Sequence, residues 1–133
     1  MKQTRRSRQV SELMRDEIAR IIRHELNDPD LAMATITQVE VSPDLRYARV
    51  WLSAIGEEPE RNAAFAAAER ATGKVRHELA RTRAFRWVPE LDWRLDTSAV
   101  YASHIESKLR EVLPQEKEVL PQEKEETNDD DDR

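Results

Sequence analysis

On a helical wheel of about 100° per residue, Arg70, Gly73, Lys74, His77 and Arg81 fall on one side of a helix. Cations grouped around a glycine suit the holding of an anion. Backbone N–H groups can approach an oxyanion closely where no Cβ intervenes, and Lys and Arg side chains supply the opposite charge. The other side of the same stretch is apolar, with Phe65, Ala68, Thr72, Val75 and Leu79 in helical phase. An interior glycine costs roughly 1 kcal/mol against alanine, and the whole chain holds only two glycines. Two readings of Gly73 compete. Either the missing side chain lets another element pack closely, or the helix kinks there and offers backbone N–H groups and cations to a phosphate. The cation-flanked position on the polar side favours the kink.

Other chemistries lack their residues. His24, His77 and His104 sit at no metal-ligand spacing, and there is no cysteine to supply a thiol or a thiolate ligand. No glycine-rich phosphate loop, nucleophile elbow or evident carboxylate pair is present. Asp28 and Asp30 flank Pro29 without the further ligands of a calcium loop, so turn chemistry accounts for them. The expectation is a binding protein with no catalytic residues, metal or cofactor.

The 133 residues allow one domain with a modest core. The formal net charge of −5 is unevenly spread. From Glu111 onward there are ten acidic and three basic residues, so the first 110 hold nineteen basic against seventeen acidic. The cations Lys2, Arg5, Arg6 and Arg8 have no acidic neighbour and form a second candidate for phosphate contact. No apolar run reaches membrane-span length or completes a signal peptide. A soluble cytoplasmic protein without a membrane partner is expected.

The elements that must carry these residues follow from periodicity. Val10, Leu13, Met14, Ile18, Ile21, Ile22 and Leu26 mark an amphipathic helix over about Arg5 to Leu26, stopped at Asn27-Asp28-Pro29-Asp30. A first strand spans Ala34 to Ser42, where Ile36 opposes Thr35, Thr37, Val39 and Val41 and leaves the inner face ambiguous. After the Ser42-Pro43-Asp44 turn a second strand runs from about Arg46 to Ala54, its apolar row being Ala48, Val50, Leu52 and Ala54. The opposite row of Tyr47, Arg49, Trp51 and Ser53 is open to two roles, base stacking or a second covered face. The kinked helix then extends from Pro59 to about Thr82, and Arg83 and Arg86 continue its positive charge. Trp87 to Leu95 forms a third strand with Leu91, Trp93 and Leu95 on one side. Thr97 or Ser98 caps a last short helix carrying Tyr101, Ile105, Leu109 and Val112. Glu111 to Lys117 is repeated without change as Glu118 to Lys124, and a proline in each copy forbids a continuous helix. Residues 1–112 are therefore expected to form the domain and 113–133 a disordered acidic tail.

The order helix, strand, strand, helix–kink–helix, strand resembles the type II KH-like arrangement, an α+β domain with a three-stranded sheet and helices on one face. Its motifs are more specific. Asp28-Pro29-Asp30-Leu31, Thr35 through Leu45, Ala71-Thr72-Gly73-Lys74-Val75-Arg76, Val88-Pro89-Glu90-Leu91 and Asp96-Thr97-Ser98 resemble, in order and spacing, the ribosome-binding factor A family. The resemblance covers about residues 5 to 112 and implies an Ala-x-Gly kink at Ala71-Thr72-Gly73. It implies a non-catalytic assembly factor for the precursor of the small ribosomal subunit. Such a factor binds rRNA near the 5′ region and the neck, assists late 16S rRNA maturation, matters most in the cold, and leaves with help from a maturation GTPase. A monomer off the ribosome is implied as well. With the charge pattern, the RNA-binding residues become Arg5, Arg8, Arg70, Ala71, Thr72, Gly73, Lys74, Arg76, His77, Arg81 and Arg83. A KH-like protein–protein adaptor acting through the Tyr47–Trp51 sheet face is the alternative.

Overall fold

The computed structural model describes residues 2–98 and 105–110. The chain divides into two units, Met1–Asp96 and Thr97–Arg133. The first holds three helices, α1 (Arg5–His24), α2 (Glu58–Arg70) and α3 (Thr72–Arg81), and three strands, β1 (Ala34–Val41), β2 (Tyr47–Ala54) and β3 (Glu90–Leu95). A 3₁₀ turn at Pro29–Leu31 follows α1, with Asp28 accepting a hydrogen bond from the Asp30 N–H at 3.0 Å. In the second unit Ser98 and residues 105–110 are helical, and Glu106 faces Arg110 at 3.8 Å. Tyr101, Val112 and the duplicated heptapeptide lie outside the described residues.

The sheet order is β1-β2-β3, with β1 antiparallel to β2 and β2 parallel to β3. A parallel pair needs a long crossover, and α2 with α3 supplies it. α1 packs on β1, α2 on β2 and β3, and α3 on α1. The element order is the one the sequence implied. Met14, Ile18 and Ile21 of α1, Val50 and Leu52 of β2, and Val75 and Leu79 of α3 are wholly buried at its centre.

Three details depart from the periodicity. Ile36 pairs with Leu52 and Gln38 with Trp51, so Thr37 is an extra residue in a β-bulge. The bulge returns Ile36 to the same face as Val39 and Val41, and all three are buried. Leu13, expected on the buried face of α1, is 55% exposed. Buried serines occupy the positions that the apolar pattern left blank: the Ser11 hydroxyl donates to the Ser7 carbonyl and accepts from the Val41 N–H at 2.9 Å and the Gln3 amide at 2.9 Å. Gln3 also donates to the Val41 carbonyl at 2.9 Å. At Val41 the open edge of β1 is thereby met by side chains rather than by another strand.

Candidate nucleic-acid interface

α2 ends and α3 begins at the same residue. Ala71 sits at φ −86°, ψ 0°, in the sparsely populated bridge region. Its N–H donates to the carbonyls of both Ala67 and Ala68, at 3.0 and 3.1 Å, while its own carbonyl accepts the first bond of α3 from Val75 at 2.9 Å. The Ala68 carbonyl also accepts from the Thr72 hydroxyl at 3.3 Å, and that hydroxyl in turn accepts from the Trp93 indole N–H at 2.8 Å. A side chain reaching across from β3 thus fixes the break. The break therefore lies at Ala71, the first residue of the Ala71-Thr72-Gly73 kink that the resemblance implied and two residues before the glycine on which the helical pattern centred it; Gly73 is the second residue of α3.

Gly73 has a separate property. Its backbone is not in the positive-φ region, and a Cβ built on it would meet no atom within 4 Å. Close packing of another element against this glycine is excluded. What its missing side chain leaves bare is the N-terminal turn of α3, where the first N–H groups of a helix lack intrahelical partners and carry partial positive charge. Ala71 provides no side-chain cap, and the first turn holds no acidic residue. Lys74 and His77 stand exposed on the same side.

The predicted cations divide by what they already touch. Arg70 pairs with Asp28 at 3.3 Å and Asp30 at 3.8 Å. Arg76 donates to the carbonyls of Val88 at 2.9 Å and Pro89 at 3.1 Å, which ties α3 to the segment entering β3. Arg81 faces the buried Glu78 at 3.5 Å. By contrast Lys74, His77 and Arg83 make no side-chain hydrogen bond or ion pair among the described residues, and neither do Arg5 and Arg8. Thr72, with its hydroxyl spent on Trp93 and Ala68, is half-buried and serves the elbow itself. Arg5 and Arg8 lie at the start of α1, which begins at Arg5 with Thr4 as its cap.

Two further cations stand outside the predicted RNA-binding set, Arg86 and the Arg6 that the sequence grouped with Lys2, Arg5 and Arg8 as a phosphate contact. Arg6 and Arg86 line one small cavity together with Trp87, which brings the start of α1 to the loop between α3 and β3. The signal was the unbalanced charge of residues 2–8 and 81–86. On the outer sheet face, Arg49 lies 6.0 Å from the Trp51 ring centroid and 3.8 Å from Asp92, so Arg49 and Trp51 of that row are engaged within the sheet while Tyr47 stays 51% exposed. Among the described residues no group of three His, Asp or Glu side chains could hold a metal, and no helix is long and apolar enough to cross a membrane.

The fold and this surface define an α+β domain with a mixed three-stranded sheet and a broken helix displaying unpaired cations. The family model for ribosome-binding factor A matches residues 6–109. A ribosome-binding factor A from Caldanaerobacter subterraneus is 40% identical over 112 residues, covering 84% of this chain and 92% of that one. The crystal structure of ribosome-binding factor A from Thermus thermophilus superposes with a TM-score of 0.60 at 27% identity, over 67% of this chain and 93% of that one. A homology model of the Thermus thermophilus factor, fitted into a cryo-electron microscopy map of a complex with the 30S subunit, gives 0.55 at 28% identity over 65% and 91%. The chain belongs to the ribosome-binding factor A family, a non-catalytic one.

Proposed function

We propose that this protein binds the precursor of the small ribosomal subunit and assists its late maturation, with the α2–α3 elbow as its main contact with rRNA. The observation that carries the reading is the uncapped start of α3 at Gly73, open to solvent and flanked by the unpaired Lys74. A phosphate seated there meets backbone N–H groups, the helix dipole and a lysine at once. Arg83, Arg5 and Arg8 supply further sequence-independent affinity. Selectivity comes from the shape of folded RNA, whose deep groove offers side chains little base-edge readout. The related factor fitted to a 30S complex supports the choice of partner. Contact near the neck and the 5′ region, a greater requirement in the cold, release aided by a GTPase, cytoplasmic residence and a monomeric free state complete the proposal.

Lys74→Glu combined with Arg83→Glu tests it, since both residues are exposed and bear no structural partner among the described residues. Circular dichroism should be unchanged, while co-sedimentation with small-subunit precursors is lost. Over a salt series the wild-type protein should give a steep slope, and Lys74→Glu alone should lower it by about 1. Unchanged co-sedimentation of the double variant would overturn the assignment, and a flat wild-type salt series would favour the adaptor.

A further inference from the structure

We infer that the open cavity between the β1–β2 turn and the entry to β3 receives one unpaired nucleobase of the bound RNA. The cavity measures about 550 Å³, within the range of small-ligand sites. Two aromatic rings line it, Tyr47 at 51% and Trp87 at 69% exposure. Aromatic faces left this open suit the stacking of a planar group.

Charge selects which planar group. Arg46 and Arg76 line the cavity, and so do Asp44 and Glu90. Two carboxylates repel a phosphate and two guanidinium groups repel an organic cation. A neutral ring bearing both donors and acceptors on its rim finds a partner for each, and nucleobases are such rings. The polar groups are held in place beforehand. Arg76 is fixed by the Val88 and Pro89 carbonyls, which leaves three of its five N–H donors for a ligand. The Asp44 carboxylate accepts from the Ser42 hydroxyl at 2.6 Å and from the Arg46 N–H at 3.1 Å. Between them Leu45 adopts φ +63° with its half-buried side chain against the core. A non-glycine residue there is strained, and strain of this kind gathers at ligand sites. Trp87 also borders the smaller cavity lined by Arg6 and Arg86. Both are exposed and unpartnered among the described residues, and they are placed to neutralise phosphates flanking the captured base.

The inference rests on the RNA-binding reading, and the elbow variant separates the two. Wild-type protein, Trp87→Phe, Trp87→Ala and Lys74→Glu are titrated with a fluorescein-labelled single-stranded hexaribonucleotide and, separately, with small-subunit precursors. The hexamer should quench wild-type tryptophan emission. Trp87→Phe should keep the affinity measured by fluorescein anisotropy but lose the quench. Trp87→Ala should bind the hexamer about tenfold or more weakly, the loss of one stacked base. Lys74→Glu should retain the quench while binding the precursor more weakly. Equal hexamer affinity in wild type and Trp87→Ala, or a quench that persists in Trp87→Phe, overturns the base pocket and leaves the elbow untouched. Unimpaired precursor binding by both Trp87→Ala and Lys74→Glu overturns both assignments.

Discussion

Gly73→Ala sets stability against binding in opposite directions. A methyl group at this position meets no atom within 4 Å, and the backbone there is already helical. Nothing in the fold resists it. Alanine is favoured over glycine in a helix by about 0.5–1 kcal/mol, so the variant should be more stable by that amount. For a domain of this size the gain corresponds to a rise in Tm of roughly 2–8 °C. The same methyl group stands over the uncapped N–H groups of α3, where a phosphate oxygen would approach. Loss of one hydrogen bond to a charged group, about 1.5 kcal/mol, weakens precursor binding about tenfold. Thermal denaturation and filter binding at fixed salt, run on one preparation, read both quantities. A variant that is stabilised and binds as tightly as wild type would show that bare backbone at Gly73 plays no part in recognition. A destabilised variant would show that the space above Gly73 is not open.

Thr72→Val removes the acceptor of the Trp93 indole N–H, and Trp93 is buried. An orphaned buried donor costs about 1–3 kcal/mol, so the urea midpoint should fall while Thr72→Ser stays near wild type; equal stability of Val and Ser variants would refute the elbow's dependence on that hydroxyl. For Asp44, the Ser42 hydroxyl and then the Arg46 N–H hold its carboxyl below the ordinary value of 3.8. A carboxyl lowered on folding stabilises the fold above its unfolded pKa and loses that contribution as pH falls through the folded one. Asp44→Asn should therefore flatten the decline of stability below about pH 3.8 and leave its pH dependence at neutrality unchanged, as followed by urea midpoints; parallel curves would count against the turn's role.

The order of elements was legible because each rests on a local period. α1 and the α2–α3 stretch show helical spacing, and the apolar rows of β2 and β3 alternate without interruption. The mismatch at Ile36 was legible as a conflict but not as a bulge, since the extra residue appears only when β1 is registered against β2. Leu13 follows the helical period and yet is exposed, because whether an apolar side chain is covered depends on how far neighbouring elements reach. Ser7 and Ser11 were invisible for the complementary reason. A serine on the inner face of a helix reads as polar until an edge strand supplies the N–H it accepts.

The break in the long helix shows where sequence reasoning stops. A glycine in a helical run draws attention, but the helix is broken at an alanine, beside a Thr72 hydroxyl that is tied to Trp93 of β3, 21 residues further on. The cations follow the same rule. Arg70, Arg76 and Arg81 are indistinguishable by type from Arg83, yet the fold engages the first three, and Arg70 meets Asp28 across 42 residues. Surface pairs of that kind contribute little to stability, about 0–1 kcal/mol, but they set which positive charges remain for a ligand. Lys74 and Arg83 remain because no described carboxylate or carbonyl reaches them. If recognition depends on charge left unpaired rather than on total charge, Arg70→Ala should weaken precursor binding less than Lys74→Ala, although each removes one positive charge from the same face.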